Sequence, residues 1–216
     1  MGNTQGLPED GPSPGQTGAA GLEPTPVGLV AIGASLGGFA AVRKVLSSLA
    51  ANLPAAVAIV QHRSADAGSE LDRLLAAHCP LPLREPDDKH PILAGHAYLA
   101  PADYHLLADG TDFSLSVLER VKCARPSIDV FFESVAESFG ARAIGVVLTG
   151  ASTDGAEGAL ALWRRGAHVL VQDPETAESP VAPRATLRCV PQAQVLPLGR
   201  IADVINGLCG VLPKKA

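Results

Sequence analysis

The chain has 216 residues, 47% of them hydrophobic and 18% charged, which suits one domain with a sizeable core plus a tail. With 17 Lys and Arg against 22 Asp and Glu, its formal net charge of -5 argues against nucleic acid or an anionic membrane surface as the main partner. No apolar run approaches the roughly 20 residues that span a bilayer and no secretory signal is visible, so no membrane insertion and a cytoplasmic location are expected.

Residues 1–26 are rich in Gly and Pro with polar residues between them. They hold too little apolar surface to order themselves and are expected to form a disordered tail ahead of a folded domain at 27–216. Residues 27–33 read as a buried strand. A helix follows over 37–49, with Phe39, Val42, Val45, Leu46 and Leu49 on one face. Residues 55–61 form a second buried strand ending at His62, and 69–78 a second amphipathic helix. Short strands are predicted near 81–84, 97–100, 105–108 and 113–118, with turn signals such as Asp109-Gly110 between them. A helix over 127–139 is capped at Ser127 behind Pro126. Residues 143–148 form a third long apolar strand, 154–165 a helix closed by Gly166, and 168–172 another strand. A strand at 195–198 and a helix at 201–208 end the pattern.

Apolar strands alternating with helices predict an α/β fold with a doubly wound, mostly parallel sheet covered on both faces. Ligands of such sheets bind beyond the carboxyl ends of the strands. Ser35 follows the first strand, His62 ends the second, and the 149–154 loop with Asp154 follows the third long strand. Acyl transfer needs a hydroxyl to attack, an imidazole to take its proton and a carboxylate to orient the imidazolium. Ser35, His62 and Asp154 supply these types at one rim.

Each residue also has a structural explanation. Ser35 fits a helix cap or part of a phosphate loop, and His62 a strand-end histidine bonded to a carbonyl. Asp154 with Glu157 three residues on matches a capping box for its own helix. Ser64 and Ser152 lack the glycine-flanked strand-to-helix setting, and His96 and His105 are expected at surface or turn positions. Cys79, Cys123, Cys189 and Cys209 form no C-x-x-C pair or zinc spacing and read as reduced thiols, mostly small core residues. Two other functional classes stand beside a hydrolase. One is a nucleotide-binding enzyme using Gly33, Gly37, Gly38 and Arg63, although the G-x-G-x-x-G spacing fails. The other is a binding module without turnover.

Several stretches, in this order, resemble the catalytic domain of CheB-type protein-glutamate methylesterases. They are Ile32 to Gly38, Val60-Gln61-His62, Pro91 to Pro101, Arg125 to Asp129, Ala143 to Gly158, Val171 to Asp173 and Pro183 to Ala185. The resemblance implies Ser35 as nucleophile, His62 as base and Asp154 as acid. It implies hydrolysis of a glutamyl γ-methyl ester with release of methanol, deamidation of certain glutamines, and no cofactor or metal. The implied partner is a methylated chemoreceptor or related signalling protein, with a separate receiver-domain protein as a further partner. The backbone amides of Leu36 and Ala151 are candidate oxyanion donors, and Gly37 and Gly38 candidates for close backbone approach to substrate. Where the family usually has Thr and Met-Gly, this chain has Leu36 and Ala151-Ser152. It also shows only the short tail where the family typically carries a receiver domain.

Overall fold

In the computed structural model, residues 1–2, 27–63 and 70–211 are described. The tail expected at 1–26, except its first two residues, and Ser64 lie outside them. The first strand, β1 (Leu29–Ala34), is buried at all six positions, as is β2 (Ala56–Gln61). Helix α1 (Gly38–Leu46) joins them, and α2 (Glu70–Ala76) leads to the short strands β3 (Leu83–Arg84) and β4 (Ala97–Leu99). A hairpin follows, β5 (His105–Asp109) and β6 (Asp112–Ser116), then α3 (Ile128–Phe139). The second half runs β7 (Ala143–Val147), α4 (Ala156–Arg164), β8 (His168–Gln172), α5 (Val181–Cys189), β9 (Gln194–Leu196) and α6 (Leu198–Leu208).

Seven strands form one sheet in the order β3-β4-β2-β1-β7-β8-β9, and every pairing in it is parallel. Continuous apolar strands are what a sheet buried on both faces requires. One face carries α1 and α6 over Val30, Ile32, Val57, Ile59 and Ile144. The other carries α3, α4 and α5 over Leu29, Ala31, Ala58, Val60 and Val147. From β1 the chain winds outward through β2 and β4, then returns to the opposite side of β1 as β7. The order therefore reverses between β1 and β7, which opens a crevice at their carboxyl ends.

The hairpin β5–β6 stands apart from the main sheet as a separate antiparallel pair packed on α3. Two details differ from the sequence expectation. Helix α5 is unannounced in the sequence, because Pro183 interrupts the apolar pattern. Pro183 sits in its first turn, where the missing N–H would have had no partner anyway. Helix α4 starts at Ala156 and not at Asp154, since Gly155 at its start has φ 102°, a value that favours glycine. No helix among the described residues is long and apolar enough to cross a membrane.

Candidate active site

The ladder of the central strands continues past their ends and fixes the site. Ser35 N–H donates to the Thr149 carbonyl at 3.0 Å, and His62 N–H to the Ala34 carbonyl at 3.0 Å. Ser35 is thus aligned with the loop after β7 on one side and with His62 on the other. Gly150 makes room for this approach, because a Cβ there would stand 2.9 Å from the Ser35 Cβ. After Ser35 the chain turns through Gly37 at φ 75° into α1.

The three side chains expected to converge do so. Ser35 Oγ lies 3.1 Å from His62 Nδ1, and His62 Nε2 lies 2.7 Å from Asp154 Oδ2. Asp154 is 1% exposed. Burial, the largest single effect on its carboxyl, opposes ionisation. Hydrogen bonds from His62, the Asp129 and Ile128 amides and the Ser127 hydroxyl outweigh it and bring its pKa down to about 2. An ionised Asp154 requires the proton of His62 on Nε2, which leaves the Nδ1 lone pair facing the Ser35 hydroxyl. A hydroxyl, an imidazole and a buried carboxylate in this line can draw a proton from serine and hold the imidazolium that results.

The capping role expected of Asp154 is corrected by its contacts. Its carboxylate accepts from Ser127 Oγ at 2.8 Å, Ile128 N at 2.7 Å and Asp129 N at 3.0 Å, all at the start of α3. It therefore meets the N-terminus of the neighbouring helix, where free amides and the helix dipole favour an anion. Gly33 in β1 lets that terminus come so close, since a side chain at position 33 would collide with Ile128. Ser127 still caps α3, accepting from Val130 N, but its hydroxyl proton goes to Asp154.

A cavity of about 520 Å³ opens on Ser35, lined by Leu36, Gly37, Gly38, Phe39, Gln61, His62 and Glu178 among others. Among the described residues the Leu36 and Gly37 amides donate to no protein group, which leaves both free at the start of α1. Ala151 is exposed but lies outside this lining. The space above Gly38 is taken by the protein itself, because a Cβ there would collide with Gln61 Oε1 and approach Ala34 Cβ at 2.8 Å. Periodicity and spacing assign no role to the Gln61 side chain. Its Nε2 donates to the Ser35 carbonyl at 2.8 Å and to the His62 carbonyl at 3.1 Å. Gln172 ends β8 in the same way, accepting from Thr149 N at 2.9 Å and donating to Thr176 O at 3.0 Å. A glutamine closing an apolar strand, with no mate on its own element, is the signal that both share.

Other expectations resolve plainly. Ser152 Oγ accepts from Asp154 N at 3.1 Å and so shapes the loop that carries Asp154. His96 lies in the turn before β4. His105 is buried, contrary to its expected surface position: Nε2 donates to Glu119 O at 3.0 Å and Nδ1 accepts from Ser127 N at 3.2 Å. Of the four free thiols only Cys209 is buried, while Cys79 and Cys189 are half-buried and Cys123 is exposed. Arg63 is committed to Glu85 and, at 2.8 Å, to the Ala100 carbonyl, so it does not wait for a 2′-phosphate. That removes the main support of the nucleotide-binding reading.

Residues 30–205 match the family described as CheB methylesterase. The chain belongs to the CheB methylesterase family. A relative in Leptospira interrogans (strain Fiocruz L1-130) is 39% identical over 176 residues, covering 81% of this chain and 91% of that protein. A protein-glutamate methylesterase/protein-glutamine glutaminase of Bordetella parapertussis is 40% identical over 182 residues, and this chain spans 52% of its length. The crystal structure of the Thermotoga maritima CheB methylesterase catalytic domain superposes with a TM-score of 0.81 at 28% identity, over 85% of this chain and all of that one. The CheB fold thus accounts for the parallel sheet and for both of its helical layers.

Proposed function

We propose that the protein is a serine hydrolase that cleaves γ-methyl esters of protein glutamate, with Ser35 as nucleophile, His62 as general base and Asp154 as the orienting acid. The observation that carries this reading is the unbroken chain from Ser35 Oγ through both nitrogens of His62 to a buried, ionised Asp154. Family membership supplies the ester, and relatives named protein-glutamate methylesterase/protein-glutamine glutaminase support it.

Ser35 Oγ adds to the ester carbonyl carbon as its proton passes to His62 Nδ1. Asp154 stabilises the imidazolium through Nε2–H. The Leu36 and Gly37 amides are placed to receive the oxyanion. The C–O bond to the methoxy group then breaks, and that oxygen takes the proton from Nδ1 to leave as methanol. Water attacks the acyl-enzyme while His62 again accepts a proton. The second tetrahedral intermediate expels Ser35 Oγ, which recovers that proton, and glutamate is released as its carboxylate. A glutamine side chain can follow the same route with ammonia leaving. The substrate is a methylated segment of a chemoreceptor or related signalling protein.

A fluorophosphonate tests the nucleophile. It is expected to label the wild type at Ser35 and to spare Ser35→Ala, and methanol release from a methylated receptor fragment is expected to follow the same pattern. A folded wild type that takes no label overturns the reading of Ser35. Labelling without methanol release overturns the assigned ester.

A further inference from the structure

Asp129 is the second buried carboxylate at this rim, 3% exposed, in the first turn of α3. It does not serve its own helix. Oδ1 accepts from Gly155 N at 2.9 Å and Gly158 N at 2.8 Å, the amides that open α4. Oδ2 takes Lys122 Nζ at 2.7 Å, and the same ammonium reaches Glu157 at 3.3 Å. Asp154, two residues before α4, meanwhile holds the amides that open α3. Each helix start is therefore bound by the carboxylate that belongs to the other, and the two exchanges share the Asp154–Gly155 peptide.

We propose that Asp129 is a positioning residue for the Ser35–His62–Asp154 chain. Its carboxylate pins Gly155 and the first turn of α4 to α3, which fixes the backbone from which Asp154 reaches His62. Lys122 balances the charge of Asp129, so that two carboxylates can sit at one rim without driving Asp154 to take up a proton. The acidic groups facing this cluster are Asp154, Glu157 and Glu133, and Lys122 is the cation that answers them. The proposal rests on Ser35 being the nucleophile and not on the identity of the ester.

The test is a double-mutant cycle between Asp129 and Asp154, read by the rate of Ser35 labelling with a fluorophosphonate and by methanol release. Misplacement of a catalytic group by ~1 Å costs on the order of 100-fold, so Asp129→Ala is expected to lower kcat by about 10- to 100-fold with KM within about twofold. Asp129→Asn keeps an amide oxygen for Gly155 and Gly158 and is expected to recover most of that loss. In the Asp154→Asn background, Asp129→Ala is expected to cost no more than about threefold further, because it acts through Asp154. Wild-type labelling by Asp129→Ala, or an equal loss in both backgrounds, overturns the proposal. Should Asp129→Ala fail to fold, Lys122→Met, which strips Asp129 of its cation, carries the same cycle: it is expected to slow labelling in the wild-type background and not in Asp154→Asn, and unchanged labelling in both overturns the proposal. A wild type without label removes this proposal with its premise. Because labelling reads Ser35 directly, a labelled protein that releases no methanol overturns the ester alone, and the labelling cycle still decides Asp129.

Discussion

Gln61 joins the turn of Ser35 to the strand end of His62 through one side-chain amide, which holds both carbonyls. The neighbouring Gly38 is bare because that amide occupies the space a side chain would need. Two losses are therefore expected and they are coupled. Gly38→Ala forces Gln61 aside and destabilises by about 1–3 kcal/mol, as overpacking does. Gln61→Ala takes its donor from the His62 carbonyl and leaves the Ser35 carbonyl with the Gly38 N–H alone, at a similar cost of ~1–3 kcal/mol. The double variant is expected to cost less than the sum by about 1 kcal/mol, since removing the Gln61 amide relieves the tightest contact of a methyl group at position 38 and leaves only its approach to Ala34 Cβ. Urea unfolding of the four proteins measures this coupling, and additive losses would count against the packing described.

At the scale of elements, α3 and α4 cross so closely that small residues decide the geometry. A Cβ on Gly158 would stand 2.6 Å from Phe132 Cβ and 2.8 Å from the Asp129 carbonyl. Gly158→Ala is expected to push the helices apart, destabilise by about 1–3 kcal/mol and slow Ser35 labelling, because both exchanged carboxylates span that crossing. Gly207 in α6 provides the contrast. It is exposed, and an added Cβ would meet nothing within 4 Å. Gly207→Ala is expected to stabilise by about 0.5–1 kcal/mol by helix propensity and leave labelling unchanged. Urea midpoints and labelling rates of the two variants check both signs. The elements themselves were largely legible, since β1, β2, β7 and β8 follow from runs such as Val30–Ile32 and Val169–Val171. Helix α5 was not, because Pro183 and polar residues obscure its period and only packing against α4 and β8 orders it.

For the whole molecule, buried acids and a buried thiol set the pH range of stability. The folded Asp154 carboxyl is held at about 2, below its ordinary value of 3.8. Its contribution is full above that ordinary value and is lost as pH falls toward 2. Asp129 is pushed upward, chiefly by burial, so its contribution has the opposite sign and fades as pH rises through its folded value. Burial moves the Cys209 thiol from 9.0 to about 11, so the folded protein loses stability as pH rises from 9 to 11. Wild type is expected to lose unfolding free energy between pH 4 and 2 more steeply than Asp154→Asn. Urea titrations of the two proteins across that window test the sign, and parallel slopes would contradict it.

Apart from α5, local pattern alone determined the order of strands and helices, the parallel sheet and the placing of Ser35, His62 and Asp154 beyond strand ends. Those features depend on periodicity and on neighbours a few residues away, which a sequence displays directly. Local pattern also misassigned the partners. Asp154 followed by Glu157 reads as a cap for α4, yet its carboxylate serves α3, and Asp129 serves α4 in its place. The choice lies between the two helix starts at Ile128 and Ala156, both offering free amides, and the carboxylates that reach them stand 25 residues apart in the chain. Only the crossing of α3 over α4, made possible where Gly33 and Gly158 leave room, decides which carboxylate reaches which amides. The same holds for Gln61, whose donors and acceptors come together only when β1 and β2 pair in register.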